Sequence, residues 1–575
     1  MTRIRKVEIT NFRCIRSFTW RPSPGLNCLI GPGDSGKSTV LDAIDLCLGA
    51  RRTVQFNDAD FYNLDVASPI TIVLTIGELD ASLKSLDAYG LFLRGLNAET
   101  GVVEDEPEKE LETVLSLGLT VANDLEPVWA LISDRGTADG TSRSLAWSDR
   151  VRLAPTAIGT IADQNLGWRR GSVLNRLTDE KADASAALVA AARHARTTFG
   201  DDAEPELAST LSIVRTAANE LGINVGGKVR ALLDAHSVTF SGGSISLHNE
   251  AGVPLHGLGT GSSRLLIAGL QRKAAQQTSI LLVDELEHGL EPHRIIRFLG
   301  SLGAKESPPP LQAFMTTHSP VAIRELTGNH LHVLRSDGTK HTAQLVGEKD
   351  SLQGAIRAFP DAFLATSVLV CEGASEVGLM RGLDQHRAAT GKTSLFASGT
   401  ALVDCGGGSA DRPFERGDAF IDLGYKVAIL RDDDVKPTPP KTGWFDISGG
   451  TVFSWRDGRA LEDELFASLS DSAIGKLLDL AIELLDRELV DQHIKTASGG
   501  AIDLDAVETE NLWDALSATT KAVLGKAARF KANPWFKSVS RMERVAREIV
   551  ADDLDDADPD FRRIIEAVFA WATSP

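Results

Sequence analysis

The stretch that decides the fold is GPGDSGKS at residues 31–38, which fits the pattern G-x-x-x-x-G-K-[S/T]. The apolar run at 26–30 before it predicts a buried strand, and residues 39–48 after it predict a helix. In such a unit the glycine-rich backbone wraps phosphate groups, Lys37 reaches the β- and γ-phosphate oxygens, and the Ser38 hydroxyl ligates Mg²⁺. We therefore expect an ATP site whose loop residues are Gly31, Gly33, Asp34, Ser35, Gly36, Lys37, Ser38 and Thr39.

Two later apolar runs also end in polar residues. Residues 279–283 lead into Asp284 and Glu285, where Asp284 would hold Mg²⁺ through water and Glu285 would polarise the attacking water. Residues 314–317 lead into His318, which could touch the γ-phosphate. Taken singly, the acidic pair could be a solvated turn and His318 a structural residue.

A glycine- and hydroxyl-rich turn, Leu258-Gly259-Thr260-Gly261-Ser262-Ser263, precedes the apolar helix predicted at 265–270. Glycine N–H groups and hydroxyls at a helix N-terminus form an anion cradle, so Gly259, Gly261 and Ser262 are further candidate nucleotide ligands. The same letters would also suit a flexible loop.

These motifs follow one another in a recognisable order. With the N-terminal pattern Ile4-x-x-Val7-x-Ile9-x-Asn11-Phe12-Arg13 and with Gly289-Leu290-Glu291-Pro292, they resemble the ABC-type ATPase heads related to SMC and RecF. The resemblance implies that the 259–262 signature loop of one head caps the nucleotide held by another, so that the heads pair. Gly33 departs from the resemblance, because these families usually have Asn there, and Gln55 is only a weak candidate for the glutamine loop.

A second α/β series begins near residue 367 and has carboxylates at its strand ends. Glu372 follows one apolar run and Glu376 lies one helical turn later, while Asp432 and Asp434 follow another run. The ends of parallel strands converge at one sheet edge, and oxygen ligands without His or Cys suit Mg²⁺ or Mn²⁺. The alternative is that the acids are merely solvated. The ordered set, with the glycine turn at 406–408, resembles a TOPRIM domain.

Farther along, Glu462 could add a ligand, and residues 525–547 hold seven basic side chains against one acidic. Phe530, Trp535 and Phe536 are interleaved with them, which favours phosphate contacts combined with base stacking. The alternative is a basic amphipathic helix that neutralises an acidic protein.

An ABC head followed by TOPRIM resembles the OLD (overcoming lysogenization defect) family of nucleases, which includes the nuclease subunit of Gabija anti-phage systems. The resemblance implies a DNA endonuclease in which Glu372, Glu376, Asp432, Asp434 and Glu462 hold two divalent metals and Lys537 lies near the scissile phosphate. It further implies an ATPase head that regulates access to DNA, a homodimer or dimer of dimers, and a UvrD-like helicase of the GajB type as partner. The rival is a non-nucleolytic, SMC- or RecF-like DNA clamp with a degenerate TOPRIM domain.

Two other TOPRIM activities fit less well. A topoisomerase needs a tyrosine nucleophile, and Tyr62, Tyr89 and Tyr425 lie in no recognisable DNA-gate context. A primase would be expected to carry a zinc module, which the cysteines do not supply.

The predicted fold class is α/β: an ABC-type head with a helical dimerisation insertion, then a TOPRIM domain with helical additions. No long heptad array separates the two halves of the head, which excludes a long SMC-type arm. The predicted boundaries are 1–155 and 236–348 for the two halves of the head, 156–235 for the insertion and 349–575 for the TOPRIM region. Within the insertion, residues 179–198 and 204–221 predict two helices, and strand-like patterns resume near residue 238. Residues 346–366 predict a connector, and the pattern is mainly helical from residue 470 onward.

The 575 residues carry a net charge of −19, so any DNA contact must use local basic patches. The five cysteines form no CxxC pair, which argues against a disulfide framework or a zinc ribbon. With no signal sequence and no apolar run long enough for a bilayer, we expect a cytoplasmic protein without membrane contact.

Overall fold

The computed structural model describes residues 2–159, 166, 173–174, 198–233, 245–274, 280–456, 458–512 and 516–574. The chain divides into two compact units, Met1–Lys349 and Asp350–Pro575, which are taken in turn. Both combine strands with helices, and the predicted α/β class is confirmed.

Among the described residues of the first unit, thirteen strands form one mixed sheet in the order β6-β5-β7-β4-β1-β2-β15-β14-β3-β13-β12-β9, with β8 beside β7. A separate hairpin joins β10 to β11. The strands are β1 Arg3–Phe12, β2 Ile15–Trp20, β3 Leu26–Ile30, β4 Ile70–Gly77, β5 Leu93–Leu96, β6 Val103–Glu104, β7 Glu112–Val121, β8 Pro127–Ile132, β9 Thr156–Ile158, β10 Arg230–Leu233, β11 Ile245–His248, β12 Ile280–Val283, β13 Gln312–Thr316, β14 Leu331–Ser336 and β15 His341–Leu345.

The large sheet has two characters. From β14 through β3, β13 and β12 to β9 the neighbours run parallel, whereas β1, β2, β4 and β7 pair antiparallel. β3, β12 and β13 are buried along their whole length, as expected for central parallel strands covered on both faces. The parallel half therefore brings several strand ends to one edge.

Helices cover this sheet and extend beyond it. In the described part of the first unit they are α1 Lys37–Leu48, α2 Leu86–Tyr89, α3 Asp134–Ala138, α4 Trp147–Leu153, α5 Thr198–Glu220, α6 Thr260–Lys273, α7 Pro292–Ser301 and α8 Pro320–Glu325. Helix α5 covers the second helical stretch expected in the insertion, at 204–221, except for its last residue. The first expected stretch, at 179–198, lies outside the described residues except for its last residue, as does the strand start expected near residue 238.

The second unit is built on four parallel strands in the order β17-β16-β18-β19. They are β16 Ser367–Cys371, β17 Thr400–Asp404, β18 Lys426–Arg431 and β19 Thr451–Ser454. The connection after β16 leads to β17 on one side of it, and the next connection crosses to β18 on its other side. The strand order therefore reverses between β16 and β18. In open parallel sheets this switch point is where ligands bind.

The helices of the second unit are α9 Asp350–Ala358, α10 Ala374–Ala389, α11 Arg412–Ile421, α12 Pro439–Ile447, α13 Leu461–Ser468, α14 Asp471–Leu485, α15 Arg487–Ser498, α16 Leu504–Leu512, α17 Ala518–Ala528, α18 Val539–Val545, α19 Ala551–Asp553 and α20 Pro559–Thr573. The predominantly helical character expected after residue 470 is confirmed. The region 346–366, expected to be a plain connector, instead contains α9 and a short 3₁₀ turn at Pro360–Leu364. Within the part of the chain that the structure describes, no helix is both long and apolar enough to cross a bilayer.

Candidate functional site

The GPGDSGKS loop leaves the C-terminal end of β3, between the parallel neighbours β13 and β14. Gly31 has φ 135°, and a Cβ there would lie 2.6 Å from the carbonyl oxygen of Leu334, so only glycine fits. Asp34 and Gly36 also have positive φ, and Gly36 caps α1. Gly33 stands in open space, so the Asn usual in related heads meets no steric obstacle from its Cβ. The backbone thus curls into the loop that phosphate binding requires.

Lys37 lies inside this loop. Its Nζ donates to the carbonyl oxygens of Pro32 at 2.7 Å and Gly31 at 3.2 Å, and its side chain is buried. Burial lowers the pKa of the ammonium group, and the carboxylates of Asp34 and Asp284 partly offset this. The loop therefore contains a buried cation, whose charge would stabilise a phosphate bound there.

Ser38 and Asp284, the two expected Mg²⁺ ligands of this site, lie together. The Ser38 hydroxyl donates to Asp284 Oδ1 at 3.0 Å, and the Thr316 hydroxyl donates to the same oxygen at 2.6 Å. Thr316 Oγ1 in turn accepts from the backbone N–H of Glu285 at 2.8 Å. Glu285 has φ 45°, an uncommon conformation for a residue with a side chain. The ends of β12 and β13 thus hold the acidic pair against the P-loop.

Glu287 is a residue that the sequence analysis missed. Its carboxylate accepts from the Thr317 hydroxyl at 2.6 Å and from the His318 backbone N–H at 2.7 Å, which fixes the loop that presents the exposed His318 side chain. The available signal was a third carboxylate three residues after Asp284 in a short acidic turn. Its partner, however, lies 31 residues away.

The predicted signature residues Gly259, Gly261 and Ser262 lie at the N-terminus of α6. A Cβ on Gly261 would overlap the carbonyl oxygen of Gly289, so the helix end packs directly on the turn after β12. Ser262 Oγ accepts from Arg294 at 2.9 Å. The loop is therefore an ordered helix start rather than an open flexible turn.

Arg264, in the first turn of α6 and fully buried, strengthens this contact. Its guanidinium donates to the carbonyl oxygens of His288 at 3.0 Å and Asp284 at 2.8 Å. One side chain thus joins the helix that begins with Gly259 to the acidic strand end. The sequence analysis did not single it out.

In the second unit, Glu372 and Asp432 follow β16 and β18, the two strands that flank the switch point. Glu372 Oε2 accepts from the Asp432 backbone N–H at 3.0 Å, and Asp432 Oδ1 accepts from the Leu461 N–H at 2.9 Å. The ends of both strands and the start of α13 therefore meet at one place.

Two further predicted ligands point into the same region from buried positions. Glu376, in the first turn of α10, accepts from the Gly373 N–H at 2.9 Å, and Glu462, in the first turn of α13, accepts from the Ser375 hydroxyl at 3.3 Å. Both side chains are nearly inaccessible to solvent. Two helix starts thus add carboxylates to the two strand ends.

The carboxylates at this place also affect one another's pKa values. Burial, followed by repulsion from Glu462, Glu372 and Asp434, raises the pKa of Asp432 to about 8. Burial and the neighbouring Asp432, Glu462 and Glu372 raise the pKa of Glu376 well above its usual range. Burial is also the main cause of the raised pKa values of Glu372 and Glu462. Four acids therefore repel one another in a poorly solvated space.

Two cations approach this cluster. Arg529 pairs with Asp434 at 2.8 Å and with Asp463 at 3.2 Å. Lys537 is exposed, and its charge lowers the pKa of both Glu372 and Glu462. The predicted ligands and Lys537 therefore share one electrostatic environment.

Asp433, between the two predicted ligands of the DDD run, has a different role. It is buried and pairs with Arg431 at 3.1 Å and with Lys436 at 2.5 Å. It also accepts from the Gly458 N–H at 3.2 Å. Its partners anchor the loop that presents Asp432 and Asp434.

The chemistry of the donor set fits a hard divalent cation. Five carboxylates without His or Cys are oxygen donors of the kind that Mg²⁺ and Mn²⁺ prefer, and buried carboxylates are normally paired or bound to a metal. In the part of the chain that the structure describes, however, no group of three or more His, Cys, Asp or Glu side chains is already arranged to hold a metal ion. Binding would therefore require the side chains to turn toward the ion.

The prediction of a base-stacking surface at 525–547 is wrong. Trp535 and Phe536 are fully buried, and Trp535 Nε1 donates to His493 Nδ1 at 3.1 Å. Phe530 stacks on the His493 ring with centroids 5.1 Å apart. Trp535 and Phe536 thus lie in the helical core of the second unit, and the half-buried Phe530 already stacks on a ring of the protein itself.

The P-loop, the acidic strand end and the helix start at Gly259, all on one mixed sheet, define an ATPase domain of the ABC type. A family model described as "AAA domain, putative AbiEii toxin, Type IV TA system" matches residues 26–324, and the chain belongs to that family. An ATPase domain of this kind binds ATP, usually with Mg²⁺.

Similarity to individual proteins is more limited. The chain is 34% identical over 58 residues to "DNA replication and repair protein RecF" of Chlorobium phaeovibrioides; the match covers 10% of this chain and 16% of the relative. The solved structures that it resembles include an SMC head domain from Thermotoga maritima, at 15% identity and a TM-score of 0.31 over 60% of this chain and 99% of the other. Another is the Smc head domain with an extended coiled coil bound to the C-terminal domain of ScpA, derived from Pyrococcus furiosus, at 14% identity and a TM-score of 0.36 over 60% and 96%. At TM-scores of 0.31 and 0.36, the likeness to these solved structures supports no statement about function.

Proposed function

We propose that the protein is a divalent-metal-dependent DNA endonuclease of the OLD type, whose second unit is a TOPRIM nuclease domain regulated by the ATPase domain. The observation that carries this proposal is the meeting of Glu372 and Asp432 at the switch point, with the buried Glu376 and Glu462 beside them. A cluster of mutually repelling carboxylates costs stability, so its best explanation is a function that needs several oxygen ligands together.

The carboxylates of this site and Lys537 would each have a role in phosphodiester hydrolysis. Glu372, Glu376, Asp432, Asp434 and Glu462 would hold two divalent cations, which supply water activation and stabilise the leaving oxygen. Lys537 would offset the charge that develops on the phosphate in the transition state. Asp433 and Ser375 would act as positioning residues, since Asp433 contacts Arg431, Lys436 and Gly458, and Ser375 contacts Glu462.

The ATPase domain would act as the regulator. The ordered start of α6 at Gly259 would cap the nucleotide bound by a second copy, so that ATP promotes pairing of heads and controls access of DNA to the nuclease domain. The RecF relative, named for DNA replication and repair, supports a DNA-directed role. A homodimer or dimer of dimers, a UvrD-like helicase partner and a role in anti-phage defence belong to the same proposal.

The test is cleavage of supercoiled plasmid by the purified full-length protein with Mg²⁺ or Mn²⁺. The wild type should nick or linearise the plasmid, and Glu372→Ala should abolish this. Asp446→Ala removes an exposed carboxylate from the last turn of α12 and should cut like the wild type. Equal cutting by Glu372→Ala would refute the assignment of the site.

The second candidate is a non-nucleolytic, ATP-dependent DNA clamp, which the RecF likeness favours. It predicts DNA binding that depends on ATP, with no cleavage under any combination of metal and nucleotide. The plasmid assay, run beside a DNA-binding assay, distinguishes the two.

A further inference from the structure

The seven basic side chains of 525–547, a stretch described throughout, fall into two groups. All four arginines are engaged within the protein: Arg529 with Asp434, Arg541 with the carbonyl oxygens of Pro534 and Trp535, Arg544 with Glu483 and Glu548, and Arg547 with Glu548. The three lysines, Lys526, Lys531 and Lys537, are exposed, and their ammonium groups make no ion pair or hydrogen bond with the described residues.

The free lysines flank the contacts between this stretch and the carboxylate cluster. Gly525, next to Lys526, packs so closely on α13 that a Cβ there would lie 2.8 Å from the Cα of Asp463. Arg529, between Lys526 and Lys531, reaches Asp434 and Asp463. Lys537 acts electrostatically on Glu372 and Glu462. Lys526 and Lys531 therefore lie within two residues of groups that contact Asp434 or Asp463, and Lys537 acts on two of the acids, on a protein whose net charge is −19.

Residues 525–547 can contact a nucleic acid through the positive charges of their lysines, but not through aromatic stacking. Binding of single strands relies on exposed aromatic rings that stack on bases, at roughly 1–3 kcal/mol per base. Here Trp535 and Phe536 are inside the core and Phe530 is stacked on His493. Lysines without stacking rings suit a backbone whose bases are already paired with each other, and they contact phosphates without reading sequence.

We propose that Lys526, Lys531 and Lys537 form a phosphate track that holds the backbone of double-stranded DNA beside the carboxylate cluster, without base stacking. The proposal rests on the proposed function only for the placement of the scissile phosphate. Binding to the track is independent of whether the cluster cuts.

The test measures binding without cleavage. Fluorescence anisotropy of a random-sequence duplex of about 30 base pairs, roughly three helical turns of DNA, is followed across a salt titration with Ca²⁺ in place of Mg²⁺. A denaturing gel verifies that the DNA stays intact. The variants are Lys526→Ala and Lys531→Ala. The control is Lys392→Ala, because Lys392 is an exposed lysine just beyond the C-terminal end of α10, about 20 Å along the helix from Glu376 at 1.5 Å per residue.

Each track variant should reduce the magnitude of the negative slope of log affinity against log salt by about 0.9, the value for one lost phosphate contact on duplex DNA. Lys392→Ala should keep the wild-type slope, and the wild type should bind duplex at least as tightly as a single strand of equal length. Unchanged slopes in both track variants, tighter binding of the single strand, or no duplex binding by the wild type would each overturn the proposal. Thermal melting of every variant verifies that the fold is intact.

The two proposals fail separately. If the lysine variants show the expected slopes and the wild type does not cut plasmid, the track stands and the nuclease assignment fails. If the wild type cuts and both variants bind as it does, the nuclease stands and the track fails.

Discussion

The P-loop site and the carboxylate site both place polar residues at the ends of parallel strands. They differ in how far the surrounding groups stabilise the charges of their carboxylates. At the P-loop two acids each accept two hydrogen bonds: Asp284 accepts from Ser38 and Thr316, and Glu287 from Thr317 and the His318 N–H. In the second unit each predicted ligand also has a donor or a cation beside it, but these contacts do not offset burial and repulsion between the acids, and the pKa of Asp432 rises to about 8.

This difference indicates the charge of the ligand that each site favours. Positive φ at Gly31 and Gly36, together with the buried Lys37, prepares the first site for an anion that replaces the loop carbonyls as partner of the ammonium group. Mutual repulsion among buried carboxylates prepares the second for cations, because a cation relieves a cost already present in the fold. The following experiments test this contrast, from the largest expected effect to the smallest.

Lys37→Ala should lower ATP affinity by about two orders of magnitude, because removing the charged partner of a buried ion contact costs roughly 2–5 kcal/mol. Isothermal titration with ATP and Mg²⁺ measures this. Binding of Mn²⁺ without nucleotide to the carboxylate site should not change. Lys84→Ala, which removes an exposed lysine from the same unit, is the matched control. Unchanged ATP affinity in Lys37→Ala would refute the P-loop assignment.

Gly378→Val should destabilise the second unit by about 1–3 kcal/mol, the usual cost of overpacking. A Cβ at Gly378 would lie 2.6 Å from the Val539 carbonyl oxygen, so α10, which carries Glu376, must move away from α18. Thermal melting should show a lower transition for this unit, whereas ATP affinity stays at the wild-type value.

Gly443→Ala is the control for this substitution, because a Cβ at Gly443 meets nothing within 4 Å. It lies inside α12, where replacing glycine by alanine stabilises a helix by roughly 0.5–1 kcal/mol. If Gly378→Val melted like the wild type, α10 and α18 would not be tightly packed.

The stability of the metal-free protein should fall as pH rises from about 4 to about 8. A carboxyl whose folded pKa is raised binds more protons in the folded state than in the unfolded state across this window, so the free energy of unfolding decreases with pH there. The ordinary pKa of an aspartate carboxyl is 3.8 and the folded pKa of Asp432 is about 8, and these two values set the window. Mg²⁺ or Mn²⁺ should therefore raise the melting temperature more at pH 8.5 than at pH 5.5.

Differential scanning calorimetry with EDTA or with Mn²⁺ tests this, each kcal/mol corresponding to about 2–4 °C for a unit of this size. Asp432→Asn removes the titrating group and should flatten both the pH dependence and the metal effect. A metal effect of equal size at both pH values would contradict the expectation.

Arg529→Gln should raise Mn²⁺ affinity by up to about fivefold, because it removes a positive charge that pairs with Asp434 in a half-exposed ion pair worth roughly 0.2–1 kcal/mol. Calorimetric titration at low salt measures the effect, which should shrink as salt is added. Arg563→Gln, which removes an exposed arginine paired with Asp560, should leave the affinity unchanged. Weaker Mn²⁺ binding by Arg529→Gln would mean that Arg529 positions Asp434 rather than competing for it.

How much was predictable depended on the distance between partners. Strand-end acids such as Asp284, Glu372 and Asp432 could be predicted, because an apolar run followed by a carboxylate is visible within a few residues. Glu287, Arg264 and Arg529 could not, because their partners lie 20 to 95 residues away and only the fold brings them together.

The aromatic residues show a second limit. Trp535 and Phe536 stand among basic residues, a pattern equally compatible with an exposed stacking surface and with a core strip beneath charged neighbours. The structure places them against Phe466 and each other, in the core of the helical region. Which side of a segment faces the core depends on the elements that pack on it. A single sequence reveals that side only where apolar residues recur with the regular period of a helix or a strand.

The packing of α10 on α18 has a consequence for engineering. Gly378 and Gly382 allow α18 to approach so closely that Val539 and Glu543 lie directly on the helix that carries Glu376. Residues more than 160 positions later in the chain therefore form the backing of the first acidic helix. Excising 367–470 as a minimal fragment that carries the carboxylate site would remove that backing, so any shortened version of the site must retain the C-terminal helices.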